Sequence, residues 1–254
     1  NTFGPLSLPK EIEASGDIEI RSGAALKLSG VSFSASGYLC LSGESLLIDS
    51  ASHVLSGGAS SSGKASMLLE ASTSLENKGN VSSEGGDLVI DVGSLENDQK
   101  LASTGCISVK SKGHVVNGGI LHASKALKLL GPSLENEGSI VSESADISLK
   151  PIGAPQVVPA LGGSHRVRSI GSLTNKGLLT STLAQKITAT SLENAGQLES
   201  KRGYLQLQVA SALRNDGTIH SGDALSNVSG SLMVNLGRVS SLNALDIVSN
   251  CLES

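Results

Sequence analysis

A four-residue motif recurs along this chain at almost constant spacing, and that recurrence limits the possible folds more than any other feature. The close copies are Ser74-Leu75-Glu76-Asn77, Ser94-Leu95-Glu96-Asn97, Ser133-Leu134-Glu135-Asn136 and Ser191-Leu192-Glu193-Asn194. Looser copies end at Asn117, Asn175, Asn215 and Asn235. Steps between successive Asn residues are 20, 20, 19, 39, 19, 21 and 20. The step of 39 reads as two steps, with Gln156 near the skipped position. A Gly follows most of these Asn residues at the second position, as in Gly79, Gly119, Gly138, Gly177, Gly196, Gly217 and Gly237. An aliphatic residue comes two positions later, as in Val81, Ile140, Leu179, Leu198, Ile219 and Val239.

A second apolar pair follows seven of these eight Asn residues after ten to twelve residues: Leu88/Ile90, Ile107/Val109, Leu127/Leu129, Ile147/Leu149, Ile187/Ala189, Leu205/Leu207 and Leu245/Ile247. The same spacing runs back through Met67/Leu69, Leu46/Ile48 and Leu26/Leu28, where the Asn motif is absent. Apolar residues two apart share one face of a strand. Strands this short cannot bury a face alone, but stacked coils can bury it against one another. The spacing therefore predicts an all-β protein, a right-handed, single-stranded parallel β-helix of about 12 coils of ~20 residues. It would be one continuous solenoid, with degenerate coils over 1–73 and motif-bearing coils over 74–254.

Composition agrees. Aromatics make up 2% of the chain, too few for an irregular globular core but compatible with identical aliphatic layers. Hydrophobic residues at 39% and charged residues at 17% argue against disorder despite the 30 Gly. Net charge is −4, without basic runs interleaved with aromatics, which argues against nucleic-acid binding. No apolar run approaches the length of a membrane-spanning helix. The chain opens at Asn1 without a visible signal peptide and reads as an internal segment of a longer protein. Cys40, Cys106 and Cys251 form neither a disulfide framework nor a metal-type set.

Within the repeat, Leu is expected to point inward and Glu outward. Asn77, Asn97, Asn117, Asn136, Asn175, Asn194, Asn215 and Asn235 are expected to form a buried ladder, their amides satisfied by one another along the axis. The following Gly is expected to take positive φ at a corner. Residues 150–171 break the pattern, since Pro151, Pro155 and Pro159 cannot donate in a central ladder. This stretch is expected to be a degenerate coil or extruded loop. With His165 and Arg166, these prolines form the candidate binding loop.

The motif Ser-Leu-Glu-Asn-x-Gly-x-(Val/Ile/Leu) in a 20-residue frame resembles the filamentous-haemagglutinin repeat. The likeness covers about 74–247; residues 1–73 match only in spacing. It implies the shaft of a large exoprotein of a Gram-negative two-partner secretion system, either an adhesin or a contact-dependent growth-inhibition effector. It also implies export through an outer-membrane transporter as an unfolded chain, with which sparse cysteine is compatible. Neither an Asn-Pro-Asn-type secretion motif nor a toxin domain is visible.

Sites for chemistry are expected to be absent: no catalytic, cofactor-binding or metal-binding residue is assigned, and no cofactor. Asp87 and Asp91 flank one strand, but a glycoside-cleaving pair needs a defined separation. His114 and His122 lie in one coil and lack metal-ligand spacing. Gly85-Gly86-Asp87-Leu88 occurs once, unlike a calcium-binding nonapeptide array, and Ser56-Gly57-Gly58 lacks the Lys of a phosphate loop. The expected function is a monomeric, non-catalytic shaft on the bacterial outer surface that displays distal modules. Two alternatives stand: direct binding of a cell-surface receptor or glycan, and a polysaccharide-lyase-like β-helix enzyme.

Overall fold

A computed structural model describes residues 9–58, 65–143, 147–150, 171–229, 231–249 and 251–253. The described chain is a parallel β-solenoid. Each coil contributes strands to three faces, met in the same order around every turn. The first carries the apolar pairs, as in Ile107–Ser111 and Leu127–Leu130. The second carries the Asn motif, as in His114–Asn117 and Ser133–Asn136. The third ends in a small residue, as in Asn80–Ser83 and Gln197–Ser200. Every pairing between the described coils is parallel and keeps register within a face, for example Leu95 with Val115 and Asn97 with Asn117. On some coils the first two strands run on as one, as in Leu39–Ile48, Met67–Asn77, Leu88–Asn97, Gln185–Asn194 and Leu205–Asn215. The corner then shows as a register shift, between Ala71 and Ser74 for instance.

The third face is a single 11-stranded sheet, so the described solenoid has about eleven turns. At one strand spacing per turn the rod is roughly 50 Å long. That is one coil fewer than the spacing predicts, and the step of 39 is the reason. Asn136 donates directly to Asn175 at 2.8 Å, and Ser139–Ser142 pairs with Leu178–Ser181. Ile147–Leu149 pairs with Gln185–Ile187 in the same way. The step is a single rung, and no coil lies between. The chain re-enters the stack at Gly171, where a Cβ would come within 1.2 Å of the Pro132 carbonyl oxygen.

Register at the start of the chain also departs from the spacing. Leu26/Leu28 and Leu46/Ile48 belong to the Asn-motif face, with Leu28 above Ile48 and Ile48 above Asn77. The first face is filled there by Ile18/Ile20 and Leu39/Leu41. The coil from Ile48 to Asn77 is therefore 29 residues long, against the usual 20. Further on, Gln185 holds the position expected for an apolar residue, between Ile147 and Leu205. The pair on that coil is Gln185/Ile187, not Ile187/Ala189.

The interior is columns of aliphatic side chains. Leu69, Ile90, Val109 and Leu207 stack on the first face with at most 2% exposure. Leu75, Leu95, Val115, Leu192 and Leu213 do so on the second, and Val81, Leu101, Leu121, Leu198 and Ile219 on the third. Each such side chain contributes about 1.5–3 kcal/mol by leaving water. Phe33 is the one aromatic in this core among the described residues, between Ile12 and Val54. At the last described turn the columns are uncovered: Leu245, in register with the buried Leu225, is 51% exposed.

Candidate functional site: the Asn ladder and the outer faces

The eight Asn residues form the expected ladder. Nδ2 of each donates to Oδ1 of the next: Asn77 to Asn97 at 2.7 Å, Asn97 to Asn117 at 2.7 Å, Asn117 to Asn136 at 2.8 Å. The run continues from Asn175 to Asn194 at 2.8 Å, to Asn215 at 2.7 Å, and to Asn235 at 2.8 Å. Each amide from Asn97 to Asn215 also reaches two backbone carbonyls, one two residues on and one in the next coil. For Asn97 these are Gln99 at 3.1 Å and Ile120 at 3.3 Å. Asn77 through Asn215 are wholly buried, so this closed accounting is what makes a polar column tolerable in an aliphatic core. All donors point the same way along the axis.

The glycines two residues after Asn do not take positive φ; among the described residues positive φ appears at Gly30, 62°, and Gly86, 155°. Their role is close approach. A Cβ on Gly138 would lie 2.1 Å from the Gly119 carbonyl oxygen, on Gly177 2.0 Å from that of Gly138, and on Gly196 2.1 Å from that of Gly177. The backbone stacks closely at this corner, and Gln99 on the Asn97 coil is the one ladder position from Asn77 to Asn235 where a side chain stands in place of the glycine. The Asn carbonyl draws it in: Asn97 O accepts from Gly118 N at 2.8 Å and Gly119 N at 2.9 Å.

A second polar column runs along the third face, beyond what the sequence reading anticipates. Ser56, Ser83, Ser103, Ser142, Ser181, Ser200 and Ser221 are buried at equivalent positions. Ser56 Oγ donates to Ser83 Oγ at 3.3 Å, and the hydroxyls after it donate to backbone carbonyls, as Ser83 to Gly86 at 2.9 Å, Ser200 to Gly203 at 2.9 Å and Ser221 to Ala224 at 2.8 Å. The sequence does carry a signal for it: a Ser six residues after most of the ladder Asn residues.

The Glu side chains face outward. Glu76 pairs with Lys78, and Lys176 spans Glu135 at 2.6 Å and Glu137 at 2.8 Å. These bonds, to Glu135 foremost, push the Lys176 ammonium above its usual range. Exposed pairs of this kind contribute little to stability. Three aspartates on the outer surface have partners within the fold. Asp87 accepts from Cys106 N at 2.7 Å, and Asp91 pairs with Lys110 at 3.1 Å. Asp49 accepts from Gly30 N at 3.1 Å and Ser52 Oγ at 2.8 Å, and the Gly30 amide foremost holds its carboxyl below the usual range. His114 and His122 lie on different faces, the first against Ser133 and the second 3.0 Å from Glu143. Among the described residues no three His, Cys, Asp or Glu side chains are placed to hold a metal.

One shallow depression of about 270 Å³ lies on the Asn-motif face, lined by His114, Val116, Ser133, Glu135, Ser172 and Thr174. It forms where Val116 and Thr174, shorter than Glu, flank Glu135 in the outer column. The candidate binding loop, Pro151, Pro155, Pro159, His165 and Arg166, lies outside the described residues.

Comparison with protein-family models, with curated proteins and with solved structures gives no match.

Proposed function

We propose that this chain is a non-catalytic shaft segment of a large secreted bacterial exoprotein, of the adhesin or contact-dependent inhibition kind, and that it displays distal modules away from the cell surface. The observation that carries the reading is the ladder itself. One register runs from Asn77 to Asn235 and closes across the 39-residue step without a missing rung. A column that is polar, fully satisfied and repeated on every motif-bearing coil fixes the phase of successive turns. Phase-locked turns give a rod whose length scales with the number of repeats. On this reading the chain passes an outer-membrane two-partner transporter unfolded and stacks outside. It takes no cofactor and binds no nucleic acid.

A second reading has one observation in its favour. The stack closes directly from Asn136 to Asn175, adjacent rungs that are 39 residues apart in sequence where the other motif steps are about 20. Such an insertion suits recognition of a cell-surface receptor or glycan from a rigid support. Binding of the isolated chain to target cells separates the readings. The shaft reading expects no saturable binding. Saturable binding that disappears on deletion of 151–163 favours the second. Turnover of polygalacturonate or a related glycan would instead establish the β-helix enzyme.

A further inference from the structure

Asn117-Gly118 is the single Asn-Gly pair in the chain. Asn-Gly is the sequence most prone to spontaneous loss of the side-chain amide. Glycine lets the following backbone nitrogen swing onto the Asn Cγ without a Cβ in the way. In the reaction the Gly118 nitrogen bonds to Asn117 Cγ, the Cγ–Nδ2 bond breaks, and ammonia leaves with the displaced proton. Water then opens the cyclic imide at either carbonyl, giving Asp or its β-linked isomer and a net gain of one mass unit.

Every atom this reaction needs is held elsewhere in the folded protein. Asn117 Nδ2 donates to Asn136 Oδ1 at 2.8 Å, Gly119 O at 3.2 Å and Ser139 O at 3.3 Å. Its Oδ1 accepts from Asn97 at 2.7 Å, and the Gly118 nitrogen donates to Asn97 O at 2.8 Å. Asn117 is also wholly buried. Packing does not explain the glycine at 118. A Cβ there would meet only Asp98 Oδ1 at 3.6 Å and Asn97 O at 3.8 Å, ordinary contacts, and its φ is not left-handed. Gly119, next in the chain, is different: a Cβ there would lie 2.0 Å from Gln99 O.

We propose that Asn117 is a latent deamidation site, silent while the coils are stacked and active whenever the chain is unfolded, and that its conversion cuts the ladder. An Asp at this rung has no donor for Asn136 Oδ1 and sets two oxygens against each other where a 2.8 Å hydrogen bond stood. The β-linked isomer adds a backbone atom and shifts the register of all later coils. Time spent unfolded is thereby recorded at one residue in the middle of the rod.

The test holds the full chain in mildly alkaline buffer, with and without urea, and measures deamidation at each Asn by peptide mass spectrometry. In urea, Asn117 converts ahead of every other Asn. In buffer its rate falls at least ~1,000-fold, in proportion to the unfolded population. Gly118→Ala melts with the parent and loses the fast reaction in urea, and the urea arm is informative even if that variant folds poorly. Parent chain aged in urea and then refolded contains a converted fraction that melts lower. Conversion in buffer at the urea rate, a Gly118→Ala chain as labile as the parent in urea, or a converted fraction that melts with the parent would each overturn the proposal.

Discussion

Replacing Asn97 by Leu tests whether the Asn column holds the coils in phase or merely occupies a corner. The site accepts the shape: Leu28 and Ile48 occupy the same column with no exposure. What is lost is bonding. Asn77 Nδ2 loses its 2.7 Å acceptor, and Asn117 Oδ1 loses its 2.7 Å donor. Two buried amide groups left short cost about 1–3 kcal/mol each. The added aliphatic burial returns about 1.5–3 kcal/mol. The net is a destabilisation of about 2 kcal/mol, which for a chain of this size lowers Tm by roughly 4–8 °C. Glu96→Ala is the control, since Glu96 is exposed in the adjacent position. It should stay within about 0.5 kcal/mol of the parent. Solenoids need not unfold in one step, so the two variants are best compared by the first transition in urea, followed by circular dichroism. Equal midpoints for Asn97→Leu and Glu96→Ala would refute the reasoning.

Three further outcomes follow from particular contacts. Gly138→Ala should destabilise strongly, because its Cβ meets backbone at 2.1 Å, and a thermal melt indistinguishable from the parent would contradict the close-approach account. Gln185→Leu should stabilise by about 1–3 kcal/mol: both side-chain amide atoms are buried without a hydrogen bond, in a column between Ile147 and Leu205. A lower urea midpoint for that variant would show that the Gln has a role in the core. In thiol labelling, exposed Cys251 should react at once and buried Cys40 only on unfolding, since burial above all raises the Cys40 pKa and leaves little thiolate at neutral pH. Equal rates for the two in the native chain would contradict that placement.

The ladder is legible in the sequence because an Asn at fixed spacing among aliphatics must have its amide satisfied, and only its own copies recur at the same spacing. The outward Glu follows from strand alternation alone. The role of the glycines is not legible. Asn-x-Gly suggests a left-handed turn as readily as a crowded one, and only the backbone-to-backbone distance at Gly138 or Gly196 decides. Counting coils fails for a related reason. A near-multiple of the repeat length, 39 residues from Asn136 to Asn175, looks the same whether it holds a coil or an insertion. The long coil before Asn77 hides in the same way: Leu46/Ile48 has the spacing of the first face but lies on the second. The serine column is obscured because Ser is abundant everywhere in the chain, so its periodicity stands out less than that of Asn.

The central claim is that successive turns are parallel and in phase, one strand spacing apart. Spin labels in the outer column test it most directly, with one label at position 76 and the other at 193, 214 or 253. The register places these five, six and eight rungs from Glu76. Backbone separations should therefore rise from roughly 24 Å through 29 Å to 38 Å, in proportion to rung number. Separations that do not grow with rung number, or that place 193 six rungs away, would contradict the stacking on which the whole account rests.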